Sequence, residues 1–115
     1  MSKSPRFFLE HILEAIELIE RRIDGVTTER FQSDLDLQDM VVRRVEIIGE
    51  AVRNLSKEFR DTHPEINWKG PADMRSQLAH VYFDIDLDIV WDTVTNKLEP
   101  LKEGVRKLLA DPTMQ

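Results

Sequence analysis

The chain has 115 residues, of which 41% are hydrophobic and 33% charged, and 22 acidic side chains against 16 basic ones give a formal charge of −6. This length suits one domain with one core, and four glycines and five prolines leave little turn chemistry for a many-stranded β fold. The lack of cysteine excludes disulfides, thiolate metal sites and a cysteine nucleophile, while the acidic balance argues against a general nucleic-acid coat but permits a local basic site.

The opening MSKSPRFFLE shows no signal-peptide core, which makes the cytoplasm the expected compartment. No apolar run approaches the length of a membrane span. KSPRFFLEHILEAIELIERRIDG predicts a first helix, with Ser4 as N-cap and Pro5 at the first helical position. Phe8, Ile12, Ile16 and Ile19 share one side of it, and Glu10, Glu14, Glu17 and Arg21 another. Asp24 and Gly25 end it. TTERFQSDLDLQDM reads as a polar connection in which Ser33 and Asp36 form a capping-box pattern. A long second helix then runs to about Arg60, striped by Leu37, Val41, Val45, Ile48, Val52, Leu55 and Phe59. Gly49 beside that stripe suggests close approach by another helix.

DTHPEINWKGPAD is the main break, and a short third helix is expected over roughly 71–81, starting late because of Gly70 and Pro71. DIDLDIVWDTVTNKLEPLKEGVRKLLADP predicts the fourth. Asp86 is its candidate cap, and Trp91, Val94, Leu98, Leu101, Val105 and Leu108 recur three or four apart. Pro100 lies in phase with that pattern, so it should bend the helix rather than end it. There is no repeat, no low-complexity tract and no second domain over residues 1–115. The expected architecture is all-α, an antiparallel four-helix bundle with a kinked last helix. Stripes this broad exceed what a small monomer needs and point to a homodimer.

The histidines differ in their surroundings. His11 sits among glutamates on the polar side of the first helix and reads as a solvated residue. His63, before Pro64 at a helix end, suits the negative end of the helix dipole. Neither neighbourhood has ligand spacing, so no metal or cofactor is expected. His80 follows Arg75 and precedes Tyr82 within MRSQLAHVYFDID. Pattern alone fits a partly buried structural histidine as well as a catalytic one. Chemically the set suits RNA cleavage: imidazole can move the 2′-hydroxyl proton, and guanidinium can hold the charge growing on phosphate. On an ideal helix, residues five apart point about 140° from each other, so Arg75 and His80 converge only near a helix end or across two subunits. Asp84 can orient His80 or serve as a cap. Glu50 can accept from Arg75 or be an exposed helix charge. Trp68 and Trp91 read as core anchors rather than base-stacking platforms.

MRSQLAHVY resembles the Arg-x4-6-His signature of the HEPN superfamily and, more narrowly, the Arg-x4-His-x-Tyr form of HepT-like toxins. RRVEIIGEAVRNLS, HPEINW and HVYFDIDLDIVWDTV resemble the family's second helix, the approach to its third and the opening of its fourth, over about residues 6–110. The resemblance implies a homodimeric, metal-independent endoribonuclease acting on RNA with Arg75 and His80. It further implies a toxin–antitoxin partner, an MntA-like minimal nucleotidyltransferase that adds AMP to Tyr82. Ser76 stands where such proteins typically carry asparagine. The alternative is a non-catalytic module that only binds the nucleotidyltransferase.

Overall fold

The computed structural model describes residues 3–73 and 86–115, and within them the chain is all-helical. Helix α1 spans Pro5–Ile23, with the Ser4 side chain accepting from Phe7 N–H, as the sequence indicates. Gly25, at φ 74°, makes the left-handed turn that ends it. Its buried face is Leu9, Ile12, Ala15, Ile16 and Ile19, and Phe8 is half-buried beside it.

The supposed polar connection holds a helix of its own. α2 spans Thr28–Ser33, capped by Thr27, whose hydroxyl accepts from Arg30 N–H. Phe31 is wholly buried and stacks on Trp91, with ring centroids 4.7 Å apart. Ser33 therefore ends a helix, and Asp34 caps the next by accepting from Leu37 N–H. That helix, α3, spans Leu35–Asn54. The buried Gln38 side-chain amide donates to Phe31 O at 2.8 Å, tying α3 to α2.

α3 stops short of Arg60. Leu55 turns extended (φ −70°, ψ 137°), and Ser56 caps a separate α4, Lys57–Thr62, by accepting from Phe59 N–H. Asn54 and Ser56 form local side-chain bonds that compete with helix continuation. Residues 69–73 form α5, so the third helix begins two positions before the expected start at 71 and includes Gly70 and Pro71. Asn67 Oδ1 accepts from Gly70 N–H at its start, and Pro71 falls in the first turn, where its missing N–H costs nothing.

After Asp86 come α6 (Leu87–Asp92), a π turn (Thr93–Lys97) and α7 (Leu98–Ala110). The bend expected at Pro100 appears as this widened turn. Proline offers no N–H to the carbonyl four residues back and crowds it, and a π turn loosens the helix just there. Thr93 Oγ1 donates to Ile89 O, and Asn96 and Lys97 both bind Asp92, holding its carboxyl below the usual range.

α1 packs most extensively on α3 and next on α7, around Ile12, Ile16, Val41, Val45, Ile48, Val52 and Val105. Arg6 closes the ends: its guanidinium donates to Met114 O and Leu109 O, and its N–H donates to Gln115 O. Gly49 is buried in α3. A tight approach occurs at Gly104 on α7, where an added Cβ would lie 2.7 Å from Ile66 Cγ1. Overpacking of about 1–3 kcal/mol exceeds the roughly 1 kcal/mol gained by replacing a helical glycine. Gly104→Ala should therefore lower unfolding free energy in urea by about 1 kcal/mol, and in an Ile66→Ala background the same change should no longer destabilise.

Candidate active site

Arg75, Ser76, His80, Tyr82 and Asp84 all lie outside the described residues; what the structure shows is the frame on either side of them. On the near side, His63 caps α4 and its carbonyl accepts from both Ile66 N–H and the Trp68 indole N–H at 3.1 Å. Trp68 and Ile66 are each only 6% exposed, so the 63–68 connection is anchored in the core and delivers α5 in one direction. Trp68 is the core anchor the sequence suggested. His63 Nδ1 lies 3.6 Å from Glu65 Oε1, and its ring rests on Phe59.

On the far side, Asp86 caps α6 by accepting from Asp88 and Ile89 N–H, in agreement with its expected role. α6 is held in turn by α2, through the Phe31–Trp91 stack and a 2.9 Å hydrogen bond from Gln32 Nε2 to Asp88 Oδ1. The half-buried Trp91 is thus also a packing residue. This clamp was missed from sequence, although Thr27 before Glu29 and Phe31 is a usable capping signal.

Glu50 lies on the exposed side of α3, where Asn54 Nδ2 donates to its carbonyl and to Oε1. It borders a shallow groove with Phe7, Phe8, His11 and Ile47, and the exposed His11 ring meets Phe7 edge-on at 4.5 Å. The expected partner of Glu50, Arg75, falls outside the described residues. A more enclosed cavity of about 480 Å³ lies between α3, the 65–71 stretch and the π turn, walled by Val45, Ile48, Ile66 and Leu101. A third, open groove of about 930 Å³ runs between α4 and α5, from Lys57 and Arg60 past Trp68 to Asp73.

Asp86 is the first described anchor after the motif-bearing residues. Asp86→Ala should cost about 1 kcal/mol in urea unfolding. Asp86→Ser should recover most of that loss, because a hydroxyl can also cap.

Comparison with known proteins places these features in a family. The sequence model described as ribonuclease HepT-like matches residues 12–108. The chain is 43% identical over 107 residues to a Caldanaerobacter subterraneus subsp. tengcongensis protein provisionally named as an RNase, covering 93% of this chain and 96% of that one. It is also 43% identical over 108 residues to a Thermococcus cleftensis protein provisionally named ribonuclease HepT, covering 94% and 98%. A Methanocaldococcus jannaschii protein, named as a gamma-glutamylcyclotransferase with a provisional RNase assignment, is 43% identical over 111 residues, which are 96% of this chain but 50% of that one. No solved structure matches. The match spans α1 through α7 together with the Arg75–Tyr82 motif, and the chain belongs to the ribonuclease HepT-like family.

Proposed function

We propose that the chain is a metal-independent endoribonuclease in which Arg75 and His80 cut RNA, and that it forms the toxin half of a toxin–antitoxin pair. The observation that carries this reading is the family match across residues 12–108, which contains Arg75, His80 and Tyr82 in one motif. In the reaction, His80 takes the proton of a 2′-hydroxyl, the freed oxygen attacks the adjacent phosphorus, and the 5′-oxygen leaves as a hydroxyl after receiving a proton. The products carry a 2′,3′-cyclic phosphate and a 5′-hydroxyl. Arg75 holds the non-bridging oxygens while charge builds on them. A homodimer suits this chemistry, because a second subunit can bring the complementary group to the same phosphate. Ser76, Asp84 and Glu50 are supporting residues in this reading, candidates to orient the pair.

Tyr82 is the control point. A minimal nucleotidyltransferase of the MntA type would join the tyrosyl oxygen to the α-phosphorus of ATP, releasing pyrophosphate. The resulting phosphodiester carries negative charge beside Arg75, competing with RNA for the same guanidinium. A second reading, a non-catalytic module that only binds the nucleotidyltransferase, is favoured by the formal charge of −6, which opposes an RNA substrate.

Purified protein is expected to cleave RNA in excess chelator, with Arg75→Ala and His80→Ala each lowering the rate at least about 100-fold. After co-expression with the nucleotidyltransferase, mass spectrometry should find AMP on wild type and none on Tyr82→Phe. A stable complex with unmodified Tyr82 and no RNA cleavage would establish the scaffold reading instead.

A further inference from the structure

The enclosed cavity between α3, the 65–71 stretch and the π turn is lined by described residues. Its floor is apolar and buried: Val45, Ile48, Ile66, Leu98 and Leu101 are each at most 6% exposed. About 480 Å³ of space above such a floor suits a small molecule, whose sites are apolar hollows with a few placed polar groups. The two charged residues in the lining favour an uncharged guest, because each already has a partner. Lys97 Nζ lies 3.4 Å from Asp92 Oδ2, and Glu65 Oε1 lies 3.6 Å from His63 Nδ1.

Two amides supply the placed polar groups. Asn67 and Asn96 both line the cavity and are exposed, so they stand at its rim. Each is fixed through one end only. Asn67 Oδ1 accepts from Gly70 N–H at 3.1 Å, which leaves its Nδ2 donor without a partner among the described residues. Gly70 makes room for that nitrogen, since an added Cβ there would lie 3.0 Å from it. Asn96 Nδ2 donates to Asp92 Oδ1 at 2.8 Å, which leaves its Oδ1 acceptor open in the same sense. The chemistry of Gly70 N–H and of the Asp92 carboxylate decides which end of each amide is oxygen. Asn96 belongs to the π turn, a widening of the helix that often marks functional sites. One open donor and one open acceptor at the rim of an apolar hollow fit a ring with apolar faces and an acceptor beside a donor on its edge. Nucleobases carry such edges, and proteins read an unstacked base through its edge while packing apolar side chains on its faces.

We propose that this cavity binds a single uncharged nucleobase, with Asn67 Nδ2 donating to a ring acceptor and Asn96 Oδ1 accepting from the neighbouring N–H. The ring displaces water from the apolar floor, and the two amides select its edge. A free nucleoside and a base within an RNA strand share this chemistry. The site uses no residue between 73 and 86 and stands independently of the ribonuclease reading.

Binding is read directly on the full chain by ¹⁵N–¹H spectra, with adenosine, guanosine, cytidine and uridine each titrated into labelled protein. At least one nucleoside should shift the Asn67 side-chain amide and the Ile48 and Leu101 backbone amides along a single saturation curve. Asn67→Asp keeps an acceptor for Gly70 N–H but sets a carboxylate against the ring acceptor, and should weaken that nucleoside about tenfold. Val45→Phe, which fills the floor, should abolish binding, whereas Asp39→Asn, at an exposed position on α3, should leave it unchanged. Asn67→Asp alters only the exposed rim and keeps the test decisive if Val45→Phe folds poorly. Indole, a flat ring with a lone donor, should bind about tenfold more weakly than the nucleoside. Displacement of the nucleoside by a three-nucleotide RNA, in the His80→Ala variant, would identify a base within a strand as the guest; without displacement the guest is the free nucleoside. No saturable shift with any of the four, unchanged affinity in Asn67→Asp, or indole binding as tightly as the nucleoside would overturn the proposal, whether or not the protein cuts RNA.

Discussion

The docking of the 63–68 connection is the constraint on which the rest of the molecule depends. One carbonyl, that of His63, accepts from the Ile66 backbone and from the Trp68 indole, and both side chains are driven into the core. Ile66 presses on α7 at Gly104, where the missing side chain leaves room for it. A loop with three internal hydrogen bonds and two buried apolar anchors behaves as a rigid joint, and α5 inherits its direction from that joint. The residues carrying the motif chemistry come next in the chain after residue 73. At the other end, Asp86 caps α6, which α2 pins through Phe31 and Gln32. Rigid supports on both sides are what a reaction depending on the meeting of two side chains requires.

Electrostatics sets the second condition. An acidic chain that receives RNA must keep its carboxylates away from the path of the phosphates. Much of the acidic face of α1 is engaged by α7: Lys102 lies 2.8 Å from Glu20 Oε1, and Arg106 lies 3.3 Å from Glu17 Oε2. The neighbouring Glu20 carboxylate also holds the Lys102 ammonium above its ordinary range. Exposed pairs of this kind add little stability, but they cancel local field.

The parts legible in the sequence were those encoded by one or two neighbouring residues. Ser4 and Asp86 act as the caps their types suggest, Gly25 makes the stop its missing side chain allows, and the stripe from Val94 to Leu108 is buried as its spacing implies. The family was legible as well, because Arg75, His80 and Tyr82 form a pattern that does not need a fold to be seen. α2 was not legible, since six residues make under two turns and show no period; its reason to exist is Phe31 meeting Trp91, sixty positions away in sequence. The break at Leu55 hid within an apolar stripe that stayed in phase while the backbone left the helix. Burial of Arg60 Nε had no sequence signature at all, because it depends on how α4 lies against the connection that follows it. Convergence of Arg75 and His80 likewise cannot follow from spacing, since about 140° separates them on an ideal helix.

That convergence is the central claim, and a crystal structure of the protein bound to an RNA with a single 2′-deoxy substitution at the cleavage position tests it directly. The expected result is one phosphate with an Arg75 guanidinium nitrogen and a His80 imidazole nitrogen both within about 3 Å of its oxygens or of the missing 2′-hydroxyl position. Arg75 and His80 aimed into separate regions, in every pairing of subunits and with RNA bound elsewhere, would contradict it.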